Sequence, residues 1–168
     1  MKVIQQDMLA LKEGILFHQV NCQGIMGGGI ARALALKFPG LEDAYREFIS
    51  DKLRERGYRV GDEDEYGQYV TYILLGKVFL YRPDPSKPIW IANIFGQDHI
   101  SSKSRMTSYD ATVEAFEHID RTAAVCNWPD VQYYFPYKMG CGLGGGDWEI
   151  YSAIIERYFP KAVICKHQ

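Results

Sequence analysis

The chain has 168 residues, 47% of them hydrophobic and 24% charged, and a formal net charge of −2. That length fits one globular domain with a sizeable core. The near-neutral charge excludes a broad electrostatic footprint for nucleic acid, and no apolar run approaches the roughly 18 residues of a membrane span. The N-terminus, Met1-Lys2-Val3-Ile4-Gln5-Gln6-Asp7, lacks the apolar stretch of a signal peptide, and the scattered cysteines Cys22, Cys126, Cys141 and Cys165 form no C-x-x-C pair. Reduced thiols in a cytoplasmic protein are therefore expected, with no metal site and no disulfide frame.

In chain order, the first expected strand is Lys2–Gln5, followed by Asp7. At the carboxyl end of a strand an Asp faces the ligand crevice of an α/β sheet, where it can accept a hydrogen bond from an adenine amino group. The second expected strand, Ile15–Val20, is a nearly continuous apolar run, as in a central strand covered on both faces. His18 lies within it, readable either as a hydrogen-bonded core histidine or as an acid/base group on a pocket floor. Asn21 ends this strand and opens the segment Asn21-Cys22-Gln23-Gly24-Ile25-Met26-Gly27-Gly28-Gly29-Ile30-Ala31. Glycine weakens helices and strands, so this crowding needs a local reason, and a backbone that must approach an anion closely is the usual one.

Helices are expected over Gly29–Phe38 and Leu41–Leu53, then a solvated acidic loop containing Asp62-Glu63-Asp64-Glu65. Strands are expected at Tyr69–Leu74, Val78–Tyr81 and Ile89–Ile94, with the proline-stiffened turn Pro83–Pro88 between the last two. A helix over Ser108–Cys126 follows from Tyr109, Val113, Phe116 and Ile119 at near-helical spacing, with Ser108 as N-cap. After a strand at Val131–Phe135 comes the second glycine loop, Gly140-Cys141-Gly142-Leu143-Gly144-Gly145-Gly146-Asp147-Trp148. Asp147 stands at the N-cap of a helix over Asp147–Phe159, and a last strand covers Ala162–Cys165. Alternating strands and helices give an α/β protein. Two anion-cradling loops in one domain point to a pyrophosphate between them, and so to a nucleotide-like ligand.

The better-known glycine motifs do not fit. Gly140-x-Gly142-x-x-Gly145 matches the dinucleotide fingerprint, but the chain nearly ends before a second strand could supply the ribose-binding acid. Neither loop has the Gly-Lys-Ser/Thr ending of a Walker A loop. A phosphatase thiolate at Cys141 would need a cationic neighbour, whereas six residues on the chain has Asp147, so Cys141 and Cys22 read as packing residues. The remaining histidines, His99, His118 and His167, show no metal-ligand spacing.

With these residues in hand, the chain resembles a macrodomain over nearly its full length. The segment Ile15 through Ala31, followed by Ala35-Leu36-Lys37-Phe38-Pro39, looks like the first binding loop and helix of the small ADP-ribose 1″-phosphate phosphatases of that superfamily. Gly140-Cys141-Gly142-Leu143 through Trp148-Glu149 resembles their phosphate loop and that of the terminal ADP-ribose glycohydrolase branch. The resemblance implies a three-layer α/β/α sandwich with a mixed central sheet, forming one domain over residues 1–168, and an ADP-ribose cleft across the strand ends. Carried over, Asp7 would bind adenine and Asn21 would face the distal ribose. Gly28, Gly29 and Ile30 would line the diphosphate from one side, and Gly142, Leu143, Gly144, Gly145 and Gly146 from the other. His18 would protonate the leaving oxygen or steady the phosphoryl group, and Asp147 would orient water.

The implied activity is hydrolysis of ADP-ribose 1″-phosphate without metal or cofactor. Removal of ADP-ribose from a modified macromolecule and binding without turnover are the alternatives. Three departures bear on them. The glycohydrolase branch carries an Asp directly after Gly-Cys-Gly-Leu, where this chain has Gly144. Its Lys ahead of the third helix is approached here only by Lys103 and Arg105. The Asn-Ala-Ala-Asn of the protein-mono-ADP-ribose hydrolases is replaced by Asn21-Cys22-Gln23-Gly24.

Overall fold

A computed structural model of the chain describes residues 1–101, 103–125 and 131–167; Cys126 lies outside them. Six strands make one sheet: β1 (Lys2–Gln5), β2 (Gly14–Asn21), β3 (Val78–Tyr81), β4 (Ile89–Gln97), β5 (Tyr133–Pro136) and β6 (Val163–Lys166). Their order is β1-β6-β5-β2-β4-β3, and every neighbouring pair is parallel except β3 with β4, so the sheet is mixed. β2 is central. Its alternate residues feed two separate cores, as the two-residue period of a strand requires.

On one face Leu16 and Val20 join Leu34 of α1 (Gly29–Lys37) and Leu41, Tyr45, Ile49 and Leu53 of α2 (Leu41–Arg54). On the other, Ile15 and Phe17 join Ala115, Phe116 and Ile119 of α3 (Tyr109–Val125) and Tyr151 and Ile155 of α4 (Trp148–Tyr158). Phe17 stacks on Phe135 at 4.2 Å between ring centroids, with Phe116 and Phe159 closing the cluster. Burying each such ring is worth about 1.5–3 kcal/mol. The result is three layers, α/β/α. Among the described residues no helix is long and apolar enough to cross a membrane.

One element departs in kind from expectation. Val70–Leu74, expected within a strand, is a 3-10 helix. Val70, Thr71 and Leu74 are buried while Tyr69 and Tyr72 face out, a one-turn repeat and not a strand's alternation. The acidic loop before it is exposed at Glu63 and Glu65, but its aspartates are used locally. Asp62 accepts from the amide of Arg59 at 2.7 Å, and Asp64 from those of Tyr66 and Gln68 at 2.9 and 3.0 Å.

Candidate functional site

The chain leaves β2 toward α1 on one face of the sheet and leaves β5 toward α4 on the other. Adjacent parallel strands whose connections diverge in this way open a crevice at their carboxyl ends. Here it is a cleft of about 430 Å³ between the two glycine loops, within the roughly 300–1,000 Å³ common for small-molecule sites.

The first loop is shaped around Asn21. The Asn21 carboxamide accepts from the amides of Gln23 (2.9 Å) and Ile25 (3.3 Å) and donates to the carbonyl of Ile25 (2.6 Å). The Tyr45 hydroxyl donates to the Asn21 carbonyl from the core side. Gly24 turns at φ +75°, and the Arg46 guanidinium holds its carbonyl at 2.9 Å. Helix α1 then begins on Gly28 with no side-chain cap. The amides of Gly29, Ile30 and Ala31 donate to no protein group among the described residues. A helix start left uncapped beside a cleft is a ready anion site.

The second loop is built on distant residues. Thr107 Oγ1 donates to the Gly140 carbonyl at 2.7 Å, which also accepts from the Gly146 amide at 2.9 Å. The amides of Met106 and Thr107 both donate to the Gly144 carbonyl at 2.9 Å. Below, Gln19 Nε2 donates to Thr107 Oγ1 (2.9 Å) and to Gln97 Oε1 (2.7 Å), while its Oε1 accepts from the Tyr151 hydroxyl (3.2 Å). The amides of Gly142, Leu143 and Gly144 donate to no protein group among the described residues. The loops touch through Leu143, whose Cδ1 lies 2.7 Å from where a Cβ on Gly28 would stand.

Of the residues named from the sequence, Asn21, Gly28, Gly29, Ile30, Gly142, Leu143 and Gly144 line the cleft. The Asn21 side chain, however, is spent shaping the loop. Gly145 and Gly146 turn away from it: Gly145 packs at φ +66° on the Arg105 backbone, and Gly146 on Gly140 and Thr107. Asp7 caps the turn Met8–Ala10 by accepting from the Leu9 amide at 2.9 Å, at the carboxyl end of β1 and beyond the cleft lining. Its charge reaches the end of β6, where burial first and Asp7 second push the Cys165 thiol up to about 11.

The two expected catalytic groups stand elsewhere. His18 is fully buried on the α2 face, its Nε2 2.7 Å from Asn93 Oδ1 on the neighbouring strand. The Asn93 amide donates to Phe79, so His18 carries its proton on Nε2, and Nδ1 is left without a partner. Burial, only partly offset by the Asn93 bond, lowers its pKa to about 4. A group so enclosed does not reach a ligand in the cleft, which corrects the proton-transfer role expected of it. Asp147 caps α4, Oδ1 accepting from Glu149 (2.7 Å) and Ile150 (3.4 Å), and is likewise outside the cleft lining, so water orientation does not fit its place. Burial and the nearby Asp147 raise the Cys141 thiol, against a smaller opposing pull from Lys138, and its Sγ donates to the Met139 carbonyl at 3.2 Å, as suits a packing residue.

Sequence reasoning missed the cleft floor and one wall: Gln19, Gln97, Ile100, Tyr137, Lys138 and Met139. Lys138 is the one charged residue among the described lining residues, and at φ 60° it adopts a backbone conformation rare outside glycine. Its ammonium lies 5.6 Å from the centre of the Tyr137 ring, with that of Lys166 at 5.1 Å. No carboxylate lines the cleft among the described residues, which leaves it suited to an anion.

No protein-family model matches the chain. The ADP-ribose 1″-phosphate phosphatase of Scheffersomyces stipitis is 25% identical over 156 residues, spanning 86% of this chain and 83% of that protein. Thermosipho africanus DarTG in complex with ADP-ribose superposes with a TM-score of 0.72 at 20% identity, over 99% of this chain and 41% of that one. The macrodomain of Thermus aquaticus DarG gives 0.68 at 19% identity, over 99% and 97% of the two chains.

Proposed function

We propose that this chain, which has the macrodomain fold, binds ADP-ribose in the cleft and hydrolyses the terminal phosphate of ADP-ribose 1″-phosphate. The observation that carries the binding is the facing pair of unpaired amide sets, Gly29 to Ala31 and Gly142 to Gly144, across a cleft lined by one lysine and no carboxylate. Backbone donors held in place cost no reorganisation when they meet a diphosphate. The carboxylate oxygen of Asp7 left over from capping would take the adenine amino group. The fold likeness to DarTG with ADP-ribose bound, and the Scheffersomyces relative, support this choice of ligand.

Phosphoryl transfer asks little covalent chemistry of a protein and much positioning of charge. Water would attack the phosphorus, the bond from phosphorus to the anomeric oxygen would break, and that oxygen would leave as a hydroxyl. The loop amides would carry the charge that builds on the phosphoryl oxygens. Binding without turnover is the second reading, favoured because no carboxylate, imidazole or thiol lines the cleft among the described residues. Glycohydrolase chemistry is disfavoured. A side chain at Gly144, where that branch keeps its Asp, would stand 2.6 Å from the Gly140 carbonyl and 2.9 Å from Gln19 Nε2.

Calorimetric titration with ADP-ribose tests the binding. A hundredfold excess over Kd should stabilise the fold by about 2.7 kcal/mol, and an unmoved melting temperature at saturation would sink the reading. Phosphate release from ADP-ribose 1″-phosphate then separates the enzyme from the binder.

A further inference from the structure

We infer that Thr107, oriented by Gln19, is a positioning residue that aims the amides of the second loop into the cleft and so sets its affinity for a diphosphate. The inference rests on the binding reading only in taking diphosphate as the anion.

A peptide unit presents its N–H on one side and its carbonyl on the other. In the second loop the carbonyls of Gly140 and Gly144 are both held by the segment Met106–Thr107, through the Thr107 hydroxyl at 2.7 Å and two amides at 2.9 Å. The Gly140 and Gly144 carbonyls share their peptide units with the amides of Cys141 and Gly145, which donate to the carbonyls of Lys138 and Gly142 at 3.0 Å. With the Gly142 carbonyl held by Gly145, the amide of the same peptide unit, that of Leu143, is left for the cleft. The Thr107 hydroxyl has one hydrogen to give. Gln19 Nε2 donates to its oxygen at 2.9 Å, so that hydrogen is directed to Gly140. Gln19 is itself fixed, because Tyr151 donates to its Oε1 at 3.2 Å and Gln97 accepts from its Nε2 at 2.7 Å. Remove the hydroxyl, and the Gly140 carbonyl keeps only the Gly146 amide. The Gly140 end of the loop is then held less firmly, and any carbonyl oxygen that turns into the cleft repels phosphate.

The test compares Thr107→Val, which keeps the shape and loses the hydroxyl, with Thr107→Ser, which restores it. ADP-ribose affinity, melting temperature and amide hydrogen exchange of ligand-free protein are measured on all three. The Val variant should bind ADP-ribose at least tenfold more weakly than the parent, with a melting temperature only a few degrees lower. Its Gly145 and Gly146 amides should exchange faster. The Ser variant should return all three readings to near the parent's. A purely structural threonine would move melting and affinity together, so an affinity loss out of proportion to the melting shift supports aiming of the loop. Val binding within twofold of the parent overturns the inference, as does unchanged exchange at Gly145 and Gly146. If the parent itself ignores ADP-ribose, the ligand reading has failed. The exchange result then decides alone on Thr107: faster exchange in Val, restored in Ser, upholds it, and unchanged exchange overturns it.

Discussion

At Gly29, in the first loop, an added Cβ would meet nothing within 4 Å, whereas at Gly140, in the second, it would strike the Tyr151 ring at 2.5 Å. The same contrast runs through both loops. Gly27 and Gly28 meet only the tips of Ile25 and Leu143, while Gly144 and Gly146 press on the Gly140 carbonyl and Thr107. Glycine therefore leaves open space beside the cleft in the first loop. In the second it lets the backbone lie flat on the body of the protein. Only Gly142 in the second loop has open space like that of Gly29. Two stretches of similar composition are thus held by different means, the first by Asn21 with Tyr45 and Arg46 of α2, the second by Thr107, Gln19 and Tyr151.

The largest effect should come from filling packed space. Gly144→Ala should cost about 1–3 kcal/mol of stability, as overpacking does, and abolish ADP-ribose binding because the Gly140–Gly146 loop must shift. Thermal melting and titration on one preparation check both, and a normal melting temperature would erase the contrast between the loops. Filling open space should act on the ligand alone. Gly142→Asp should leave melting nearly unchanged but bring a carboxylate within about 5 Å of bound diphosphate, costing on the order of 3 kcal/mol at an effective dielectric near 20. Calorimetry should read that as a loss of about a hundredfold.

His18, beneath the first loop, gives a pH signature. Its pKa falls from 6.5 in the unfolded chain to about 4 in the fold. Between those values the unfolded chain binds a proton that the folded chain refuses. Stability should therefore fall as pH drops from 6.5, by roughly 3 kcal/mol at pH 4. His18→Gln, which still donates to Asn93, should flatten that part of the curve and leave phosphate release unchanged at neutral pH. An equal slope in both proteins, by chemical denaturation, would show that His18 does not titrate as its burial demands. The smallest effect belongs to Asp147→Ala after the second loop: about 1 kcal/mol for a lost N-cap, with turnover per folded molecule intact. A tenfold drop in turnover would return Asp147 to the chemistry.

The legible part of this molecule was what local pattern governs. The apolar runs of β2 and β4, the helical spacing of α3 and the glycine clusters located the layers and the mouth of the cleft. What escaped was orientation. β2 is buried on both faces, so it shows no polar alternation, and nothing local tells which of His18 and Gln19 looks toward α2 and which toward the cleft. They are adjacent, hence opposite. Gln19 is the one in the cleft. Its partners Gln97, Thr107 and Tyr151 lie 78, 88 and 132 residues away, which no spacing rule reaches. Tyr69–Leu74 failed differently, since a short apolar run is compatible with a strand or a single tight turn.

The pairing of β1 with β6 has a consequence for how the chain comes to life. Lys2 lies in register with Val163, so among the described residues β1 has β6, the sixth strand in chain order, as its one sheet partner. Closing so long a loop carries an entropic cost that grows with the logarithm of its length, and folds dominated by such distant contacts form slowly. Until β6 emerges, β1 has no sheet neighbour among the described residues and β5 lacks its partner on that side. The second loop also waits on Tyr151 to settle Gln19. The cleft should accordingly be among the last features to mature. A nascent chain that ends at Asp147 should carry an intact first glycine loop and still be unable to capture ADP-ribose.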